Sequence, residues 1–68
     1  MTAKQAYKIL SENGITVGMV NHGFKIRVKV EQDGKIKLGS KDHTTKTIIE
    51  AMDNTALFLV KNIKEKTL

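Results

Sequence analysis

The chain has 68 residues, no cysteine and no proline, and its twelve basic and seven acidic side chains leave a formal charge of +5. That length holds one domain, residues 1–68; the lack of cysteine excludes disulfides and thiolate metal sites. The longest apolar run, residues 56–60, is far too short to cross a membrane. No charged start followed by an apolar stretch marks a secretory signal, so a cytoplasmic protein without a cofactor is expected.

Residues 2–13 read as a helix. Thr2 is a suitable N-cap, Ala3, Ala6, Tyr7 and Leu10 form one stripe, and Gly14 supplies the left-handed stop. Residues 15–20 read as a first strand in which Ile15, Val17 and Met19 alternate with Thr16, Gly18 and Val20. A turn at His22-Gly23 would set Met19 opposite Ile26, Val17 opposite Val28 and Ile15 opposite Val30, keeping every apolar partner on one face.

The next two strands carry the clearest pattern. Phe24, Ile26, Val28 and Val30 alternate with Lys25, Arg27 and Lys29; past Asp33-Gly34, Ile36 and Leu38 alternate with Lys35 and Lys37. Phe24 is expected in the core or at its rim. A two-residue Asp33-Gly34 turn would set Ile36 against Glu31 and Leu38 against Lys29, mixing the faces. A three-residue loop, Gln32-Asp33-Gly34, with a bulge at Gly34 sets Val30 against Ile36, Val28 against Leu38 and Glu31 against Lys35. That second register is the expected one, because it gathers all apolar side chains on one face. It also crowds Lys25, Arg27, Lys29, Lys35 and Lys37 on the other, with Lys29 opposite Lys37.

Ser40, Asp42 and Thr44 are candidate helix caps. From Thr44 or Thr45 to about Glu65 the period is helical, with Ile48, Ile49, Met52, Ala56, Leu59, Val60 and Ile63 in a sector about 120° wide. Asp53-Asn54-Thr55 is weak helix sequence and a possible break. Leu57 and Phe58 lie off the stripe, so they are either buried by a break near Asn54 or exposed as a homodimer seam or partner site. Thr67 and Leu68 are expected to fray. The resulting fold class is α+β: helix, three-stranded antiparallel meander, helix, with both helices on one sheet face.

This order resembles the double-stranded RNA-binding domain. His22 falls between the first two strands, where that family often carries a histidine near the RNA minor groove. Phe24 with its alternating valines is similar to the family's second strand, and Lys41 and Lys46 bracket the start of the last helix, where it presents lysines to phosphate. The departures are Thr44-Thr45-Lys46-Thr47 in place of a lysine pair and alanine-rich turn, and a short loop after the first strand. The chain also resembles the small mRNA-cleaving toxins of the HicA type, through residues 10–14 and a histidine at His22, but it reads Val20-Asn21-His22-Gly23 where those toxins carry Gly-Ser-His.

These residues point to binding more than to chemistry. His22 and His43 alone do not make a zinc site, and no nucleophile–base pair, carboxylate pair or glycine-rich phosphate loop is present. Eleven of the twelve basic residues are lysine, which favours attraction to a phosphate backbone over reading of bases. The expected function is therefore a non-enzymatic nucleic-acid-binding module. Its candidate contacts are Lys25, Arg27, Lys29, Lys35 and Lys37 on the sheet, and Lys41, Lys46 and His22 at the loop edge. A protein-interaction module that docks on an acidic partner is the alternative, and a ribonuclease of the HicA kind a third.

Overall fold

The computed structural model describes residues 1–66, so the expected fraying of Thr67 and Leu68 lies outside the described residues. Its elements run α1 (Ala3–Glu12), β1 (Ile15–His22), β2 (Lys25–Gln32), β3 (Lys35–Leu38) and α2 (Ile48–Lys66). The three strands form one antiparallel sheet in the order β1-β2-β3. This is the helix–meander–helix architecture the sequence implies.

The first helix forms as its residues dictate. Thr2 accepts from the Gln5 amide and the Gln5 side chain accepts from the Thr2 amide, a reciprocal capping box. Gly14, at φ 75, then reverses the chain into β1. Ala6 and Leu10 meet Ile48, Ala56 and Val60 of α2 and Ile15, Val17 and Val28 of the sheet in a single core. Both helices thus cover one sheet face.

The second helix starts later than expected, at Ile48. Residues 45–47 form a turn, in which Thr44 accepts from the Lys46 amide through its hydroxyl and donates its own amide to the Thr47 hydroxyl. No break occurs at Asn54; the helix is continuous through Asp53-Asn54-Thr55. Tertiary fastening offsets the weak propensity there: the Tyr7 hydroxyl donates to the Asp53 carboxylate at 2.8 Å, and the Thr55 hydroxyl donates back to the Ala51 carbonyl. Burial, then the Asp53 hydrogen bond, push the Tyr7 pKa up to about 12.

The strand registers differ from the expected ones, with different consequences. In the first hairpin the turn is Gly23-Phe24, with positive φ only at Gly23, as in type II′. Val17 therefore faces Val30 and Met19 faces Val28, two residues away from the expected pairing. A shift of two keeps every side chain on its face, so the apolar side survives. β1 also runs on to His22, past the expected Val20.

The second hairpin takes the register that the apolar pattern argues against. Asp33 and Gly34 both have positive φ, 54 and 76, the two-residue type I′ turn that an Asp-Gly pair favours. Gln32 pairs with Lys35, Glu31 with Ile36, Val30 with Lys37 and Lys29 with Leu38. Ile36 and Leu38 thus share the open face with Lys29 and Glu31, while Lys35 and Lys37 share the helix side with Val30. The reason lies above the sheet. Helix α1 lies against β1, α2 against β1 and β2, and neither against β3. All four β3 residues are exposed, so phasing Ile36 and Leu38 to the helix side would bury nothing.

Candidate nucleic-acid interface

The register divides the cationic residues that the sequence reading placed on one face. Lys25, Arg27 and Lys29 remain on the open face, and Lys35 and Lys37 point to the other. The five-residue cationic face does not exist. Lys29 lies opposite Gly18 on one side and Leu38 on the other, with its stem across Gly18, where an added Cβ would meet the Lys29 Cε at 3.7 Å. The expected Lys29–Lys37 opposition is therefore absent, and so is the Glu31–Lys35 pair.

A different grouping takes its place at the far end of the sheet. After β3, Gly39 still donates to the Val28 carbonyl at 2.8 Å, and Ile26 and His43 then exchange hydrogen bonds of 2.9 and 2.7 Å. Between these two anchors β2 spends one residue, Arg27, while the returning chain spends three, residues 40–42. That excess bulges outward and carries Asp42 to Arg27, whose Nε donates to Oδ1 at 2.7 Å. The bulge thus brings the two candidate sets to one end of the sheet: Lys25 pairs with His22, and Arg27 holds Asp42, the residue after Lys41.

Asp42 reports the field of this end. Its carboxyl is held below its ordinary pKa chiefly by the Arg27 hydrogen bond, which outweighs an opposing desolvation, with lesser lowering from the charges of Arg27, His22 and Lys25. Lys41, Asp42, His43, Thr44, Thr47 and Glu50 border one shallow hollow beside the start of α2. Lys46 follows in the exposed turn of residues 45–47. His22, Lys25 and Arg27 thus surround Asp42, while Lys41 and His43 flank it in the chain and border the hollow with Glu50.

Two of the expected placements change. His22 is the last residue of β1 rather than part of the turn, exposed and paired across the ladder with Lys25. Phe24 is neither core nor rim: it sits at the apex of the turn with 106% relative exposure. The sequence held that signal, because glycine at the first central position of His22-Gly23-Phe24-Lys25 is the mark of a type II′ turn. The Arg27–Asp42 pair, fifteen residues apart, had no local signal.

The apolar candidates also separate. Leu57 is half-buried against the core, while Phe58 is 62% exposed on the outer side of α2. Among the described residues no three His, Asp or Glu side chains gather to hold a metal, and no helix is long and apolar enough to cross a membrane.

No family model matches the chain, and neither a curated protein nor a solved structure matches it. An order of elements does not by itself define a function.

Proposed function

We propose that this protein is a small, non-enzymatic nucleic-acid-binding module. It grips phosphates with the end of the molecule where the β1–β2 turn meets the residue 40–42 bulge. The observation that carries this reading is the 2.7 Å Arg27–Asp42 ion pair, in which an exposed carboxylate is held at the end of the sheet where His22 and Lys25 pair. A site that draws in one anionic side chain favours a polyanion for the same reason. Lys25, Arg27, Lys41 and Lys46 are the contacts, with His22 adding charge when protonated. Lys29 extends them along the open face. Lys35 and Lys37 stand apart on the other face.

Four phosphate contacts give a slope of log affinity against log salt of about −3 to −4, the shallower value on single strands. Fluorescence anisotropy on labelled oligonucleotides measures it. Reversing Lys25, Lys41 and Lys46 to glutamate together should lower affinity for every sequence and flatten that slope by about three. Reversing Lys35 and Lys37 should leave it nearly unchanged. A flat salt response in the wild type, or equal losses from the two sets, defeats the reading.

The protein-interaction reading has its own observation. Gly39 bonds inward to Val28, so by alternation the amides and carbonyls of Ile36 and Leu38 line the outer edge of β3, where both side chains are at least half exposed. An extended acidic–apolar segment could add a strand there, its carboxylates beside Lys35 and Lys37. Amide shift changes confined to residues 35–38 on titrating such a peptide would favour this reading; their absence would remove it.

A further inference from the structure

We propose that Phe24 is a stacking platform for an unpaired base. This rests on the nucleic-acid reading above and adds which part of the polymer is held.

Phe24 is the most exposed large apolar side chain among the described residues, at 106%, where the others range from 50% to 62%. The turn does not require it. Gly23, at φ 65, meets the backbone demand of the type II′ geometry, and small polar residues serve the following position equally well. Nor does any described residue cover it. The buried residues of β1 end at Val17, and Met19 is 51% exposed although it shares the helix side with Val17 and Val28. From there to the apex every β1 residue except Val20 is exposed, and on β2 the last residue packed against the core is Ile26, so the apex stands about two residues, roughly 7 Å, beyond the covered part of the ribbon.

The surroundings of that ring define its partner. His22 and Lys25 close the turn as a cross-strand pair, and Arg27 follows Lys25 on the same face with the residue 40–42 bulge behind it. An aromatic face beside several cations suits a base and the phosphates that flank it. A pocket in an apolar protein partner would leave those cations desolvated and unpaired.

An unpaired base fits better than a wedge into a duplex. Parting a stacked base step costs a few kcal/mol, recovered in architectural proteins by wrapping bent DNA over a large basic surface. A chain of 68 residues, with Lys35 and Lys37 turned away, offers little surface for that recovery. A loop, bulge or single strand presents its base without that cost.

The test measures anisotropy on three labelled probes of about 12 nucleotides: oligothymidylate, a duplex, and an abasic strand with the same phosphates. Phe24→Ala should weaken oligothymidylate binding about 5- to 150-fold without changing its salt slope. Phe24→Trp should retain it, and Phe24→Leu should fall with the alanine variant. On the abasic strand, wild type and Phe24→Ala should bind alike. Unchanged melting temperatures will show that the variants are folded, as a fully exposed position predicts.

If Phe24→Ala binds oligothymidylate as wild type does while the lysine reversals abolish binding, stacking is overturned and the nucleic-acid reading stands. A loss as large on the duplex as on the single strand also overturns it, in favour of a wedge. If wild type binds none of the three probes, both readings fail together.

Discussion

The two hairpins of this sheet are built by the same middle strand, yet different forces set their registers. In the β1–β2 pair, Val17, Val28 and Val30 lie under or beside the helices, and the pairing keeps all of them on the helix side. In the β2–β3 pair, apolar Ile36 and Leu38 point away from that side, with Asp33-Gly34 in the conformation an Asp-Gly pair prefers. Burial governs register only where another layer is present to bury against. Where it is missing, a turn preference of about 1 kcal/mol is enough to decide.

Breaking the covered region should therefore cost most. Leu10 is 1% exposed at the centre of the core, and Leu10→Ala should remove about 2–5 kcal/mol by lost transfer and cavity energy. A domain this small has little more than that to lose. Urea titration followed by circular dichroism should find the variant largely unfolded without denaturant. A fully folded Leu10→Ala protein would mean that the helix layer does not hold the sheet as described.

The turn is the next lever. Gly34→Val places a β-branched side chain at φ 76, a cost of about 1–2 kcal/mol or more. Because β3 touches neither helix, the loss should be local. Cross-strand nuclear Overhauser contacts between β2 and β3 should weaken while those between β1 and β2 persist. Simultaneous loss of both sets would show that the sheet folds as one cooperative unit and that the distinction between its halves is wrong.

The same difference explains which parts of the fold were legible in the sequence. The N-cap at Thr2, the stop at Gly14 and the apolar stripe of α1 are local signals, and all three stand where they were read. The face of each β1 and β2 residue was legible because alternation encodes it, although the pairing partner was off by two. The β2–β3 register was misread because the apolar pattern was given a force it has only under a helix. The meeting of His22, Lys25, Arg27 and Asp42 was not legible at all. It depends on a bulge closed by the Ile26–His43 bridge, and no periodicity announces a non-local bridge. Whether the helix runs through Asn54 was left open for a related reason: Tyr7, forty-six residues from Asp53, secures it.

That Tyr7–Asp53 bond ties the two helices over the covered half, and it has a pH signature. Tyr7→Phe should cost about 1 kcal/mol near neutrality. The unfolded phenol titrates at 10.0 and the folded one at about 12, so in between the folded state holds a proton that the unfolded state has released. Stability from this group is then fully present below pH 10 and declines as pH rises toward 12. The gap between wild type and Tyr7→Phe in chemical denaturation should accordingly be constant up to pH 10 and narrow above it. A gap that widens there would mean the phenol is not the group held neutral by folding.

The smallest expected effect is the sharpest test of the uncovered half. Exchanging the phase of β3 with Lys35→Ile, Ile36→Lys, Lys37→Leu and Leu38→Lys moves its apolar pair to the helix side and its lysines to the open face. Under a helix such a swap would change stability by several kcal/mol, since each fully buried aliphatic side chain is worth about 1.5–3 kcal/mol. Here both faces of β3 meet solvent, and composition and net charge are preserved, so the midpoint in urea should move by no more than about 0.5 kcal/mol in equivalent stability. The variant would also rebuild the unbroken cationic face that the native register denies, with lysines 36 and 38 beside Lys29 and Arg27. If phosphate binding is concentrated at the hairpin end, nucleic-acid affinity should rise only modestly. A large rise would show that the open sheet, and not the end that holds Asp42, is where a polyanion prefers to lie.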